Sequence, residues 1–252
     1  MFAFFRHVLI IFSLGLLPMI SSGAVLVQQN ASYFAFEAEN YDTLTPNTGT
    51  SAWTVITTTT GPKLLPSDTA AVGGAALYSQ GSDSNYATYR LQFTSNGTYY
   101  FYSRFSFFDR NGDSSYGNED SYYIADAFNQ SAVAGGVWHE QHTGGSFPNE
   151  GKTFFWDEGN KMKTDGANRV PDGVHTYTIT GASEASPVEV TFTIRGREPG
   201  MTLDRFIFSK TQYNPSTQNA ILDGFASVPE PSRALLIAMA LTMTIMRRKR
   251  LS

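Results

Sequence analysis

At 252 residues the chain is long enough for one sizeable core, and with no cysteine it builds that core without disulfides. Residues 25–231 hold 12 of the 18 Lys and Arg and all 22 Asp and Glu, a net charge of −10. So acidic a body excludes a nucleic-acid backbone as partner, because that partner needs clustered cations. Divalent cations and neutral polymers remain compatible.

In chain order, Arg6 and His7 precede an apolar run from Val8 to Ile20, and Ser22-Gly23-Ala24 follows with small side chains. This predicts a signal peptide over residues 1–24, removed by signal peptidase, with the mature chain beginning near Val25. A transmembrane helix is the other reading; Gly15, Pro18 and the shortness of the run weigh against it.

Residues 25–209 read as antiparallel β structure. Aromatic residues make up 14% of the chain and fall in short alternating runs rather than at helical spacing. Strands are expected at Tyr33 to Glu39, Tyr86 to Phe93, Thr98 to Phe107, Ser121 to Asp126, Val174 to Thr180, Val188 to Arg195 and Met201 to Ser209. Ser95-Asn96-Gly97, Asn111-Gly112-Asp113, Pro171-Asp172-Gly173 and Glu198-Pro199-Gly200 supply the turns between them. Many short strands joined by tight turns predict an all-β fold, a single antiparallel β-sandwich of jelly-roll type. No segment of helical period longer than a couple of turns stands between the two ends. Residues 210–227, with Asn214-Pro215-Ser216-Thr217-Gln218, read as a linker.

The tail, 228–252, places Pro229-Glu230-Pro231 before an apolar run from Ala234 to Met246 and closes on Arg247-Arg248-Lys249-Arg250. As a helix, the run is shorter than the roughly 30 Å hydrocarbon core, and the basic flank stays on the cytoplasmic side. An ordinary C-terminal anchor is one reading. The order of triplet, apolar run and basic cluster resembles the PEP-CTERM sorting signal of Gram-negative bacteria. That resemblance implies recognition by an exosortase, an inner-membrane-tethered intermediate held by the C-terminal helix, and delivery to the cell surface or extracellular matrix.

Four places could carry chemistry. Glu37 and Glu39, at strand spacing, project from one face while Phe36 and Ala38 take the other. Two hard oxygen donors side by side suit calcium; a solvated strand face is the alternative. Asp109-Arg110-Asn111-Gly112-Asp113, with Glu119 and Asp120, is similar to a calcium loop, but Ser114 stands where an EF-hand needs Gly, so an acidic hairpin turn is the simpler reading. Between Gly135 and Asn160 lie Trp138, His139, Glu140, His142, Phe147, Phe154, Phe155 and Trp156. Flat aromatic faces stack on pyranose C–H faces, and Tyr86 and Trp138 are the platform candidates; core packing is the other reading, above all for Trp156. His139-Glu140-Gln141-His142 is one residue short of a zinc-protease motif, and Gly145 to Thr153 mis-spaces a P-loop. Finally, Arg195 and Arg197 before Pro199-Gly200 either grip an acidic sugar or pair with the domain's own acids.

Glu37-Ala38-Glu39, Gly97-Thr98-Tyr99 leading into Arg104, Asp120-Ser121-Tyr122-Tyr123 and Arg197 to Asp204 together resemble the β-sandwich carbohydrate-binding modules of families six and thirty-five, within the galactose-binding-like fold. The resemblance covers most of residues 32–209. It implies a structural calcium held by Glu37, Glu39 and Asp204, and a polysaccharide bound by aromatic and polar residues. No nucleophile elbow or catalytic acid pair is visible, so a non-catalytic, exported polysaccharide-binding or adhesion protein is expected. A glycan-cleaving sandwich enzyme and a ligand-free matrix protein are the alternatives.

Overall fold

A computed structural model of the chain describes residues 25–46, 52–66, 71–109, 118–119, 121–133, 135–142, 153–156 and 175–228. The expected signal peptide, the sorting residues Pro229, Glu230, Pro231, Arg247, Arg248, Lys249 and Arg250, and most of the Asp109 to Asp120 turn lie outside the described residues. No described helix is long and apolar enough to cross a membrane.

The strands are β1 (Leu26–Val27), β2 (Tyr33–Glu37), β3 (Thr43–Thr45), β4 (Thr54–Thr57), β5 (Ala75–Gln80), β6 (Tyr86–Phe93), β7 (Gly97–Phe107), β8 (Ser121–Ala125), β9 (Trp138–His142), β10 (Phe155–Trp156), β11 (Thr176–Ile179), β12 (Val188–Arg195) and β13 (Pro199–Ser209). The helix α1 spans Pro215–Asp223. Six strands form one sheet, ordered β1-β6-β12-β8-β9 with β3 also on β6. Seven form the other, ordered β10-β7-β13-β5-β4 with β11 on β7 and β2 on β13. The two sheets pack as a β-sandwich. All pairings are antiparallel except β1 on β6, which the expectation of a purely antiparallel fold missed.

Side-chain alternation decides what fills the sandwich. In β6 the positions Ala87, Tyr89, Leu91 and Phe93 face inward, as do Val190, Phe192 and Ile194 of β12. They meet Phe34 and Phe36 of β2, Tyr99, Phe101 and Phe105 of β7, and Phe206 and Phe208 of β13. Their rings pack edge-on and tilted: Phe93 to Tyr99 at 5.0 Å, Phe101 to Phe192 at 5.2 Å, and Phe192 to Phe208 at 5.2 Å between centroids. Each such pair adds about 0.5–1.5 kcal/mol beyond the area it buries. That aromatic core is how a cysteine-free domain reaches stability.

In β13, Met201 and Leu203 point inward, but so do Phe206 and Phe208, a spacing that breaks the two-residue period. A bulge between Leu203 and Arg205 accounts for it: Leu203 pairs with Phe105 and Arg205 with the very next residue, Arg104, leaving Asp204 as the extra residue. The phase change turns Arg205 and Ile207 to the outer face.

Residues 210–227, expected as a linker, instead carry α1 and pack on the sheet. Pro215 opens α1 at a position where its missing N–H costs nothing. Leu222 is fully buried with Ala35, Tyr102, Trp156 and Ile207 on the outer face of the seven-stranded sheet, and Tyr33 and Phe225 stack at 4.3 Å. Val228 N–H donates to Ala35 O at 2.8 Å. A few apolar anchors, sparse in sequence, hold the segment down.

Candidate functional site

The bulge sets up the first cluster. Asp204 is fully buried; its Oδ2 accepts from Arg104 Nη1 at 2.5 Å and its Oδ1 from the Val72 backbone N–H at 2.8 Å. Ala38 N–H donates to Asp204 O at 2.9 Å, which brings the chain between Glu37 and Glu39 alongside. Glu37 closes β2 opposite Arg205, with Oε1 3.9 Å from Arg205 Nε. Glu39 lies beyond the end of the strand, so the expected pair on one strand face is a strand residue and a turn residue instead. Glu39 reaches the turn that caps Asp204: a Cβ placed on Gly73 would lie 3.4 Å from Glu39 Oε1. Gly73 also adopts φ 74°, where a side chain is strained.

Burial, helped by the charge of Glu37, raises the Asp204 pKa to about 7, against the opposing pull of Arg104 and of the Val72 hydrogen bond. Arg205 is turned partly away from the acids: it donates to Ser227 Oγ at 2.8 Å and to Phe225 O. Both guanidinium groups beside the acids also reach the C-terminal segment, Arg104 through Asp223 Oδ1 at 3.5 Å and Arg205 through Ser227 and Phe225. Carboxylate oxygens are the hard donors that calcium takes, and Glu37, Glu39 and Asp204 bring three carboxylates to the neighbourhood of the β13 bulge.

The second cluster lies on the outer face of the six-stranded sheet. Register places Arg195 beside Tyr86 on one side and Tyr123 on the other, and Tyr123 beside Glu140. Trp138 follows on the same face of β9. Its ring lies 5.7 Å from Tyr86 at 41°, and its Nε1 donates to Val133 O at 3.2 Å. The Arg195 guanidinium stands 4.3 Å from the Tyr123 ring centre and 5.4 Å from that of Trp138. Next along the face, Arg197 contacts Ser121 Oγ and Glu198 and lies 3.7 Å from Glu140 Oε1. Trp138 and Tyr123 are half-buried, Tyr86 is 5% exposed, and Val133 and Val137 beside Trp138 are open to solvent.

Tyr86 and Trp138, 52 positions apart in the chain, are thus neighbours. Trp156 belongs to the opposite outer face, 3% exposed, with Nε1 donating to Asp223 Oδ1 at 2.9 Å. Arg197 pairs with the domain's own acids; Arg195 approaches Asp83 only at 3.8 Å and otherwise sits against aromatic rings. Sequence reasoning passed over Tyr123 and the Val72–Gly74 turn. Tyr123 had a signal: in the pair Tyr122-Tyr123 on a strand with one buried face, one ring must point outward. Val72-Gly73-Gly74 offers no side chain that announces a role.

No protein-family model matches the chain, and no curated protein matches it. Among solved structures it is similar to a GH26-CBM35 β-(1,4)-mannanase from Podospora anserina, with 14% identity and a TM-score of 0.41 over 74% of this chain and 29% of that one. It is similar to CsCBM6-3 from Clostridium stercorarium in complex with cellobiose, with 13% identity and a TM-score of 0.39 over 76% of this chain and 100% of that one. An exo-β-1,3-galactanase from Phanerochaete chrysosporium with galactose gives 17% identity and a TM-score of 0.37 over 71% and 29% of the two chains. The chain thus spans less than a third of the length of the mannanase and the galactanase.

Proposed function

We propose that the protein is an exported, non-catalytic polysaccharide-binding or adhesion protein whose ligand lies along the outer face of the six-stranded sheet. One observation carries this reading: Trp138, Tyr86 and Tyr123 gather round the Arg195 guanidinium, with Trp138 and Tyr123 half-buried and Val133 and Val137 beside Trp138 open to solvent. The half-buried rings of Trp138 and Tyr123, backed by the buried Tyr86, give an apolar surface for pyranose C–H groups, and the guanidinium among them offers donors to ring hydroxyls or a sugar carboxylate. The sorting tail gives such a binder a place, the cell surface or extracellular matrix, through an exosortase acting on Pro229-Glu230-Pro231 with its basic cluster.

In the same reading Glu37, Glu39 and Asp204 hold a structural calcium ion. Once bound, the ion neutralises the excess carboxylate charge and lets Asp204 stay ionised. An ion held there would link the start of the domain to its last strand, since Glu37 and Glu39 come from β2 and the turn after it and Asp204 from the bulge of β13.

A glycan array probed with the purified exported protein tests the reading. Binding to a polysaccharide that is lost in Trp138→Ala, with the fold intact, supports it. Absence of binding to every glycan turns the reading toward a ligand-free matrix protein.

A further inference from the structure

Among the described residues β9 is an edge strand of the six-stranded sheet and β11 an edge strand of the seven-stranded one. Because Trp138 and Glu140 face outward, His139 and Gln141 take the inward phase of β9, opposite Ile124 and Tyr122. An imidazole in that position needs polar company. His139 Nε2 lies 2.5 Å from Oδ1 of Asp126, the residue after β8. Its ring centre is 4.4 Å from that of His175, the residue leading into β11. His175 Nε2 donates in turn to the Asp126 carbonyl at 2.9 Å. One donor atom from each of the three side chains lies within 4.8 Å of the other two.

We propose that Asp126, His139 and His175 form a zinc site that clamps an edge of one sheet to an edge of the other. Two imidazole nitrogens and one carboxylate oxygen favour Zn2+, Cu2+ or Ni2+ over the hard cations Ca2+ and Mg2+. A tetrahedral Zn2+ with ligands at about 2.0–2.1 Å holds its donors about 3.3 Å apart. The Asp126–His139 hydrogen bond opens to that spacing and the wider pairs close to it. Side-chain rotation suffices, since Asp126 is 47% exposed and His139 24%. The fourth position takes water. Asp126 also lines a groove of about 410 Å³ with Phe128, Asn129 and Tyr177, which gives the ion a route from solvent. The site shares no residue with the acid cluster or the aromatic face, so it stands or falls apart from the glycan reading.

Titration of the chelator-treated exported protein with ZnCl2, followed by calorimetry, tests the proposal, with CuCl2 and its EPR spectrum as a second probe. The expected result is one equivalent of Zn2+, not displaced by excess CaCl2, and a Cu2+ signal split by two imidazole nitrogens. Loss of an outer partner costs roughly 10–100-fold in metal affinity, so His139→Ala and His175→Ala should each weaken binding by more than about 100-fold. Circular dichroism of the metal-free variants confirms that they fold; if either does not, the wild-type Cu2+ spectrum decides. No binding by the wild type, a spectrum without two nitrogens, or undiminished binding in both folded variants overturns the proposal.

Discussion

The two outer faces of the sandwich begin alike and end differently. On the seven-stranded sheet Arg104 and Arg205 stand beside Trp156, and α1 with the segment to Val228 closes over them, using Leu222, Phe225 and backbone carbonyls as partners. On the six-stranded sheet Arg195 stands among Tyr86, Tyr123 and Trp138, whose rings leave its side chain 12% exposed. The guanidiniums are almost equally buried, the Arg104 side chain being 10% exposed; the faces differ in their rings, Trp156 being 3% exposed under α1 and Trp138 half-buried beside the open Val133 and Val137. Two tryptophans 18 positions apart in sequence therefore have different surroundings, Trp156 buried and Trp138 half-buried.

Substitutions on the two faces sharpen that contrast. Trp156→Ala empties a buried site and removes the bond to Asp223; it should cost about 3–5 kcal/mol in chemical denaturation while leaving glycan retention unchanged in the folded fraction. Retention lost in step with Trp156 would erase the distinction between the faces.

Calcium comes next. With the folded Asp204 pKa raised to about 7 above the ordinary 3.8, the metal-free fold favours the protonated acid. That contribution is complete below about pH 4 and is lost as the pH rises through about 7, whereas bound calcium holds the ionised form. The difference in Tm between calcium and excess chelator should therefore widen from about pH 5 to about pH 8. An identical Tm with and without chelator at both pH values would remove calcium from the cluster.

Smaller again, Trp138→Ala should cost about 1 kcal/mol of stability, because its ring is only half-buried, yet abolish retention. Smallest is Arg90→Ala. Arg90 and Glu189 meet at 2.8 Å on the same face but in open solvent, where an ion pair adds little, so the denaturation midpoint should not move measurably and retention should stay intact.

How much of this was legible follows from periodicity. β6 matches its expected run because Tyr86 to Phe93 alternates without a break, and β12 does likewise. β4, β5 and β9 escaped because Thr54–Thr57 is too short to show a period, Ala75–Gln80 begins with small residues, and Trp138–His142 carries His, Glu and Gln, which strands do not favour. α1 escaped because its polar first turn resembles a linker and its hold on the sheet rests on a few anchors such as Leu222. At the acid cluster the side chains were readable, but the bulge that places Asp204 shows only as the three-residue step from Leu203 to Phe206, and the Val72–Gly74 turn enters through its backbone. At the open face Tyr86 and Trp138 were readable as aromatics; their adjacency is a product of register between β6, β12, β8 and β9.

Affinity electrophoresis of the wild type, Trp138→Ala and Trp156→Ala, through gels carrying a polysaccharide that the wild type binds, weighs one face directly against the other. Retardation of the wild type and of folded Trp156→Ala, with free migration of Trp138→Ala, is the outcome the open-face account predicts. Retardation of Trp138→Ala equal to that of the wild type would contradict it.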